Sequence, residues 1–186
     1  MTRRAIFTAR FLAVPLLVSA PLPVLLVPCA PVQGQELAAI QLPAPQLEGG
    51  KPLMEALRDR QSVRSFRPDP LPLQVLSNLL WAGFGINRPE SGRRTAPSAV
   101  NWQEVEIYLT LPEGAYRYDP RAHRLEPVRA GDLRALTGIV PFVGTAPLNL
   151  VYVADLAKIT RPSEEEKTFY SAIDTGFIAQ NVYLFC

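Results

Sequence analysis

Arg60-Gln61-Ser62-Val63-Arg64-Ser65-Phe66 places two guanidiniums and a hydroxyl at alternate positions, where a helical pattern gives way to extended chain. Upstream of it, Pro52 suits a first helical position, and Leu53, Leu57 and Gln61 follow at helical spacing. In an extended stretch, residues two apart face the same side. Arg60, Ser62 and Arg64 would then converge on one point and match the oxygens of a phosphate. On spacing alone, the plainer reading of the same residues is a solvated, charged helix end.

Downstream, Pro68-Asp69-Pro70 reads as a turn and Pro72 opens a second helix. Leu73, Leu76, Leu79, Leu80 and Gly83 give that helix an apolar stripe. Gly83 and Gly85 lead into a polar loop over 87–97 that carries Arg88, Arg93 and Arg94. Residues 105–111 alternate apolar and polar side chains, as a strand with one buried face does. Residues 115–118 and 124–128 flank the turn-rich Asp119-Pro120-Arg121-Ala122, which predicts a hairpin projecting from the sheet. His123 reads as an exposed hairpin residue with no obvious partner. A short helix is expected over 132–137. Residues 148–154 are apolar at nearly every position, which predicts a central strand.

The last element is the clearest helix. Ser163 and Glu166 form a capping box, and the Glu164-Glu165-Glu166 run suits a solvated first turn beside the positive end of the dipole. Phe169, Ile173, Gly176, Phe177, Gln180 and Leu184 line one face, widened by Ala172 and Ala179. That face predicts a core helix on which Gly176 admits another backbone. The order helix, helix, strand, hairpin, helix, strand, helix shows no regular βαβ run. It points to an α+β domain with a mostly antiparallel sheet flanked by helices.

Two more polar constellations matter. Pro97-Ser98-Ala99-Val100-Asn101-Trp102-Gln103 stands just before the first long strand, and its amides suit the edge of a flat heterocycle. Taken alone, its plainer reading is a polar loop in which Ser98 or Asn101 caps a turn. Asp174-Thr175-Gly176 with Gln180-Asn181 puts polar groups inside an apolar helix, where they need partners. The plain reading is bonding to neighbouring loops.

Composition sets the outer bounds. A net charge of +2 with 48% hydrophobic and 19% charged residues is too mild to argue for nucleic acid or an anionic membrane surface. Residues 1–34 read as an export signal: Arg3 and Arg4 in a basic start, an apolar run over 11–27 broken by prolines, and small residues ending at Gly34; the alternative is an uncleaved signal kept as a membrane anchor. Thr2-Arg3-Arg4-Ala5-Ile6-Phe7 resembles a twin-arginine signal, which implies a periplasmic or secreted protein. Residues 35–50 read as a linker and 51–186 as the domain. With the signal removed, Cys186 is the one remaining thiol, so no internal disulfide is expected. One histidine, His123, and no spaced cysteine pair leave no metal-ligand cluster.

The three constellations recur together, in order, in a known family. Arg60 to Phe66 resembles the opening Arg-x-Ser-x-Arg/Lys-x-Phe motif of the nitroreductase family. Pro97-Ser98-Ala99-Val100-Asn101-Trp102-Gln103 is similar to its Pro-Ser-x-x-Asn-x-Gln motif, and Asp174-Thr175-Gly176 with Asn181-Val182-Tyr183-Leu184 to its central-helix pattern. The segment Ala115-Tyr116-Arg117-Tyr118-Asp119-Pro120 looks most like the azoline-dehydrogenase (SagB-type) branch. The resemblance spans roughly 53–186 and implies an FMN-dependent oxidoreductase, working as a homodimer with the flavin between subunits. It implies that Arg60, Ser62 and Arg64 hold the FMN phosphate and ribityl chain, with Gln61 standing where the family often has Arg or His. Pro97, Ser98 and Asn101 would lie along the isoalloxazine, with Gln103 supporting the loop. No side chain need act as a nucleophile, since the flavin carries hydride from a small-molecule donor such as NAD(P)H to an acceptor. Family members continue beyond the central helix, so the resemblance also implies a nitroreductase-like fold incomplete at its C-terminus. The alternative is a non-catalytic relative that binds a flavin or another ligand without turning it over.

Overall fold

The strand Val105–Leu111 organises the domain in this computed structural model, which describes residues 36–67, 69–161 and 163–186. The export segment expected over 1–34 and Pro68 of the expected turn lie outside the described residues. In chain order the elements are β1 (Ile40–Gln41), α1 (Leu53–Asp59), α2 (Leu73–Phe84), β2 (Ile86–Arg88), β3 (Arg93–Arg94), β4 (Val105–Leu111), β5 (Gly114–Asp119), β6 (Arg124–Ala130), β7 (Asn149–Ala154) and α3 (Glu164–Phe185).

Strands β1, β6, β5, β4 and β7 lie side by side in that order, and every neighbouring pair is antiparallel. The alternation read in β4 is real. Val105, Ile107 and Leu109 are buried, while Glu106 and Tyr108 are half-buried between them. They meet Tyr116 and Tyr118 of β5, Leu125 of β6, and Leu76, Leu80 and Phe84 of α2 in one apolar core. The expected α+β architecture is therefore what the chain adopts. A register shift between Ala115 and Tyr116 lets Tyr116 stand opposite Pro127. A bulge there suits β6, since Pro127 has no N–H to give a ladder.

Several local expectations need correction. The β5–β6 hairpin does not project; it forms the middle of the sheet, because Tyr116, Tyr118 and Leu125 are too apolar to leave the core. Strand β7 is an edge strand, paired to β4 alone among the described residues, and Val153 on it is exposed. A run apolar at nearly every position marks burial on two faces but does not say on which side the neighbour lies. The helix expected over 132–137 is a single 3₁₀ turn at Arg134–Leu136, and the loop after Gly85 contains the β2–β3 hairpin. Within the stretch read as linker, Ile40–Gln41 pair with β6 and Leu42 is 3% exposed. Ile40 and Leu42, two apart, both turn to the core.

Helix α3 starts as expected, with Ser163 Oγ accepting from the Glu166 N–H at 3.1 Å. Its packed face is a different one. Ser171, Asp174 and Ile178 are buried, whereas Phe169, Ile173 and Phe177 are exposed. The close approach between helices occurs at Gly83 of α2, where a Cβ would stand 3.1 Å from Val182. At Gly176 nothing lies within 4 Å. The helix is apolar on two sides, and periodicity alone cannot tell which side its own sheet takes.

Candidate functional site

The loop from Pro97 to Glu104 joins the β3 region to β4 and takes an unusual path. Val100, Asn101 and Gln103 have φ of 51°, 59° and 50°. The left-handed region is uncommon for any residue with a Cβ, and for β-branched valine it is an outlier. Each such residue costs on the order of 1–3 kcal/mol and persists only where its surroundings hold it.

The surroundings here are specific. Ser98 Oγ accepts from the Gln103 N–H at 2.9 Å and donates to Glu104 Oε2 at 3.2 Å. The Asn101 and Trp102 N–H groups donate back to the Ser98 and Ala99 carbonyls at 3.0 Å each. Ala99 N–H donates to Asp174 Oδ2 on α3 at 2.8 Å, tying the loop to a helix 75 residues on. Of the polar residues read inside α3, Asp174 does find a loop partner, as the plain reading expected. Gln103 Nε2 donates to Asn101 Oδ1 and to the Gly92 carbonyl, while Gln103 Oε1 accepts from Arg94 Nε at 3.0 Å. Arg94 lies over the Phe84 ring at 4.0 Å, and its burial pushes the guanidinium pKa down. Trp102 donates from Nε1 to Thr160 and stands edge-on to Tyr170 at 5.5 Å, with Arg161 alongside both rings.

Ser98, Asn101 and Gln103 are therefore gathered in one network, with Pro97 and Asn101 at its exposed rim. Arg60, Gln61, Ser62 and Arg64 are placed elsewhere, on the exposed, extended stretch after α1. Arg60 caps α1 with φ −58° and ψ 121°, so the helix ends at Asp59, before Gln61, the last residue of its periodic pattern. Asp59 is taken by Lys51 and Arg58 at 3.0 Å each. Among the described residues, the side chains of Arg60, Ser62 and Arg64 make no hydrogen bond or ion pair, and none joins them to the loop. Helix α3 contacts both neighbourhoods: α1 packs on it, and Asp174 bonds the loop.

Sequence reasoning passed over Glu104 and gave Arg94 no role. Glu104 is 0% exposed, a carboxyl at the head of a strand, where a fully buried place predicts an apolar residue. That mismatch was the available signal. His123 also needs correction, since it is half-buried and partnered. Its Nε2 lies 2.7 Å from Ser77 Oγ and its Nδ1 lies 2.9 Å from Tyr118 OH. Two open clefts flank this end of the sheet. One of about 200 Å³ lies beside Gln103, Arg94, Arg117 and Lys158, and one of about 400 Å³ beside Trp81, Ile86 and His123. Arg121 borders both.

Residues 57–186 match the profile of the nitroreductase family. A Methanocaldococcus jannaschii protein provisionally named a nitroreductase is 33% identical over 155 residues, covering 78% of this chain and 77% of its own. A solved Ralstonia eutropha structure, also provisionally a nitroreductase, is 47% identical with a TM-score of 0.75, over 80% of this chain and 70% of that one. A chain of the Escherichia coli microcin synthetase McbBCD complex, solved with truncated pro-MccB17 bound, superposes with a TM-score of 0.55. It is 22% identical and covers 70% of this chain and 57% of that one, a likeness of fold alone.

Proposed function

This chain belongs to the nitroreductase family, and on that premise we propose that it is an FMN-dependent oxidoreductase whose own side chains bind and orient the flavin. Bound FMN would supply hydride and electron transfer between a small-molecule donor, NADH or NADPH, and an acceptor. The observation that carries the reading is the loop at Val100, Asn101 and Gln103, held in a costly left-handed path with the Asn101 side chain exposed. Strain kept in place by buried partners is a mark of a functional segment. The donor set fits the group. Arg60, Ser62 and Arg64 have no intramolecular partner among the described residues, so two guanidiniums and a hydroxyl remain available to a phosphate. Asn101 spends its side-chain oxygen on Gln103 and keeps its NH₂ for the edge of a flat ring.

The same reading makes the protein a homodimer. The Phe169, Ile173 and Phe177 stripe of α3 is the exposed apolar face that supports a second copy. The β5–β6 sequence supports the azoline-dehydrogenase branch as the finer assignment, and the basic, apolar start supports export to the periplasm or beyond.

Purification of the chain is the first test. A flavin absorbance spectrum that NADH or NADPH bleaches supports the oxidoreductase. A spectrum that neither bleaches favours a binding relative without turnover, and a colourless protein that takes up no added FMN refutes the reading. The double variant Arg60→Ala, Arg64→Ala should lose most of its flavin; full flavin content would remove the phosphate assignment. Loss of two hydrogens from a peptide azoline is the reaction that distinguishes the SagB-type branch.

A further inference from the structure

Behind the strained loop, two buried carboxyl groups hold adjacent residues, Glu104 at Ser98 and Asp174 at Ala99. Glu104 is 0% and Asp174 is 3% exposed, and among the described residues neither is ion-paired. Their hydrogen bonds can be followed atom by atom. The Ser98 hydroxyl receives the Gln103 N–H, so its own proton goes to Glu104 Oε2. Asp174 Oδ2 receives the Ala99 N–H. Glu104 Oε1 is left buried with no donor. If both groups were ionised, like charges would face each other without counter-ion, and a buried acceptor would stay unpaired, two costs that add.

We propose that Glu104 and Asp174 hold one proton between them, on Glu104 Oε1, and that this carboxyl–carboxylate pair fixes the left-handed path of residues 100–103. One proton removes both costs: Oε1–H becomes a donor to Asp174, and the pair carries a single negative charge. Burial foremost, and the Asp174 charge after it, push the Glu104 carboxyl above its ordinary range. The result is a continuous chain from α3 to the loop: Ala99 N–H to Asp174, Glu104 O–H to Asp174, Ser98 O–H to Glu104, Gln103 N–H to Ser98. Glu104 is on this account a positioning residue, acting through Ser98 and Asp174 on the segment that carries Asn101. The pair rests on the loop's hydrogen bonds and the buried, unpartnered Glu104 Oε1, together with the burial of both carboxyls; only the choice of FMN as ligand rests on the flavin reading.

The test is made on the whole chain without flavin and then with added FMN. Infrared difference spectra at pH 7 should show the carbonyl stretch of a protonated carboxyl, absent in Glu104→Gln. The amide introduced by Glu104→Gln keeps a donor toward Asp174, so that variant's melting temperature should stay within about 2 °C of the parent. The Trp102 indole N–H resonance, assigned with Trp102→Phe, should not move, and the Kd for FMN should stay within about threefold. Glu104→Leu, with no donor, should shift the indole signal and raise that Kd at least about tenfold. Asp174→Asn keeps a partner for Ala99 and can donate to an ionised Glu104, so the protonated-carboxyl band should vanish. The proposal fails if the parent lacks the band, if the band survives in Asp174→Asn, or if Glu104→Gln stabilises the fold by many degrees, as relief of two buried charges would. It fails equally if a folded Glu104→Leu leaves the indole signal unmoved. Should the parent bind no FMN, the flavin reading falls, while the infrared band and the indole signal still decide the pair.

Discussion

The hydroxyl of Ser77 lies 2.7 Å from Nε2 of His123, and its own proton is directed to the Pro43 carbonyl at 2.6 Å. Ser77 must therefore accept from His123 Nε2–H, which leaves Nδ1 to accept from the Tyr118 hydroxyl at 2.9 Å. One serine in the middle of α2 thus joins the segment after β1 to the turn between β5 and β6. The arrangement is structural. A serine whose proton is already committed to a carbonyl is no nucleophile. Ser77→Ala leaves the imidazole donor and the carbonyl without their partner, which should cost about 1–3 kcal/mol. Thermal unfolding should show a drop of about 2–4 °C for each kcal/mol.

The same imidazole predicts a pH dependence. Burial lowers the His123 pKa, so between its folded value and the unfolded value of about 6.5 the unfolded chain binds more protons. The stability it contributes is full above the unfolded value and is lost as pH falls through the folded one. Melting temperatures measured from pH 8 down to pH 5 should decline for the parent and decline less for His123→Asn. Equal slopes for the two would assign the effect to other groups.

Thr110, on β4, should be improvable. Its Oγ1 is buried and has no partner among the described residues. Thr110→Val keeps the shape and removes the unpaired oxygen, a change expected to be neutral to stabilising by about 1 kcal/mol. Calorimetry should show an unchanged or raised melting temperature. A clear fall would mean that the hydroxyl has a partner worth keeping.

How far the chain could be read before its structure was known follows from which interactions are local. Strand β4, the starts of α1 and α2 and the Ser163 cap each depend on neighbours within a few positions, and those were legible. The place of β7 at the edge and the packed face of α3 depend on which distant segment arrives, and period alone is silent on that. The loop residues Ser98, Asn101 and Gln103 stood out by type and spacing. Their left-handed path did not, because it is imposed by Asp174 and Glu104 through bonds that composition does not display. The Arg60, Ser62 and Arg64 set was legible as a pattern, but that the nearby Asp59 is occupied by Lys51 and Arg58 was not, because those pairings depend on how the side chains settle in the fold.

The exposed face of α3 carries the remaining prediction. Phe169, Ile173 and Phe177 recur every fourth residue, and they are 61%, 40% and 46% exposed. Three large apolar side chains in one line on a 22-residue helix make a patch that water disfavours at about 25 cal/mol for each Å² covered. The buried side of the same helix spends two of its places on Ser171 and Asp174, so the helix presents its more apolar side outward. On the homodimer reading, such a line would pair about a two-fold axis, each copy covering the other's phenylalanines. Phe177→Asp would place a charge in the middle of that contact without touching the core around Ile178. Sedimentation of the parent should therefore give a dimer and that of Phe177→Asp a folded monomer with an unchanged circular dichroism spectrum. A parent that sediments as a monomer at every concentration tested would end the assignment of this face to a second copy.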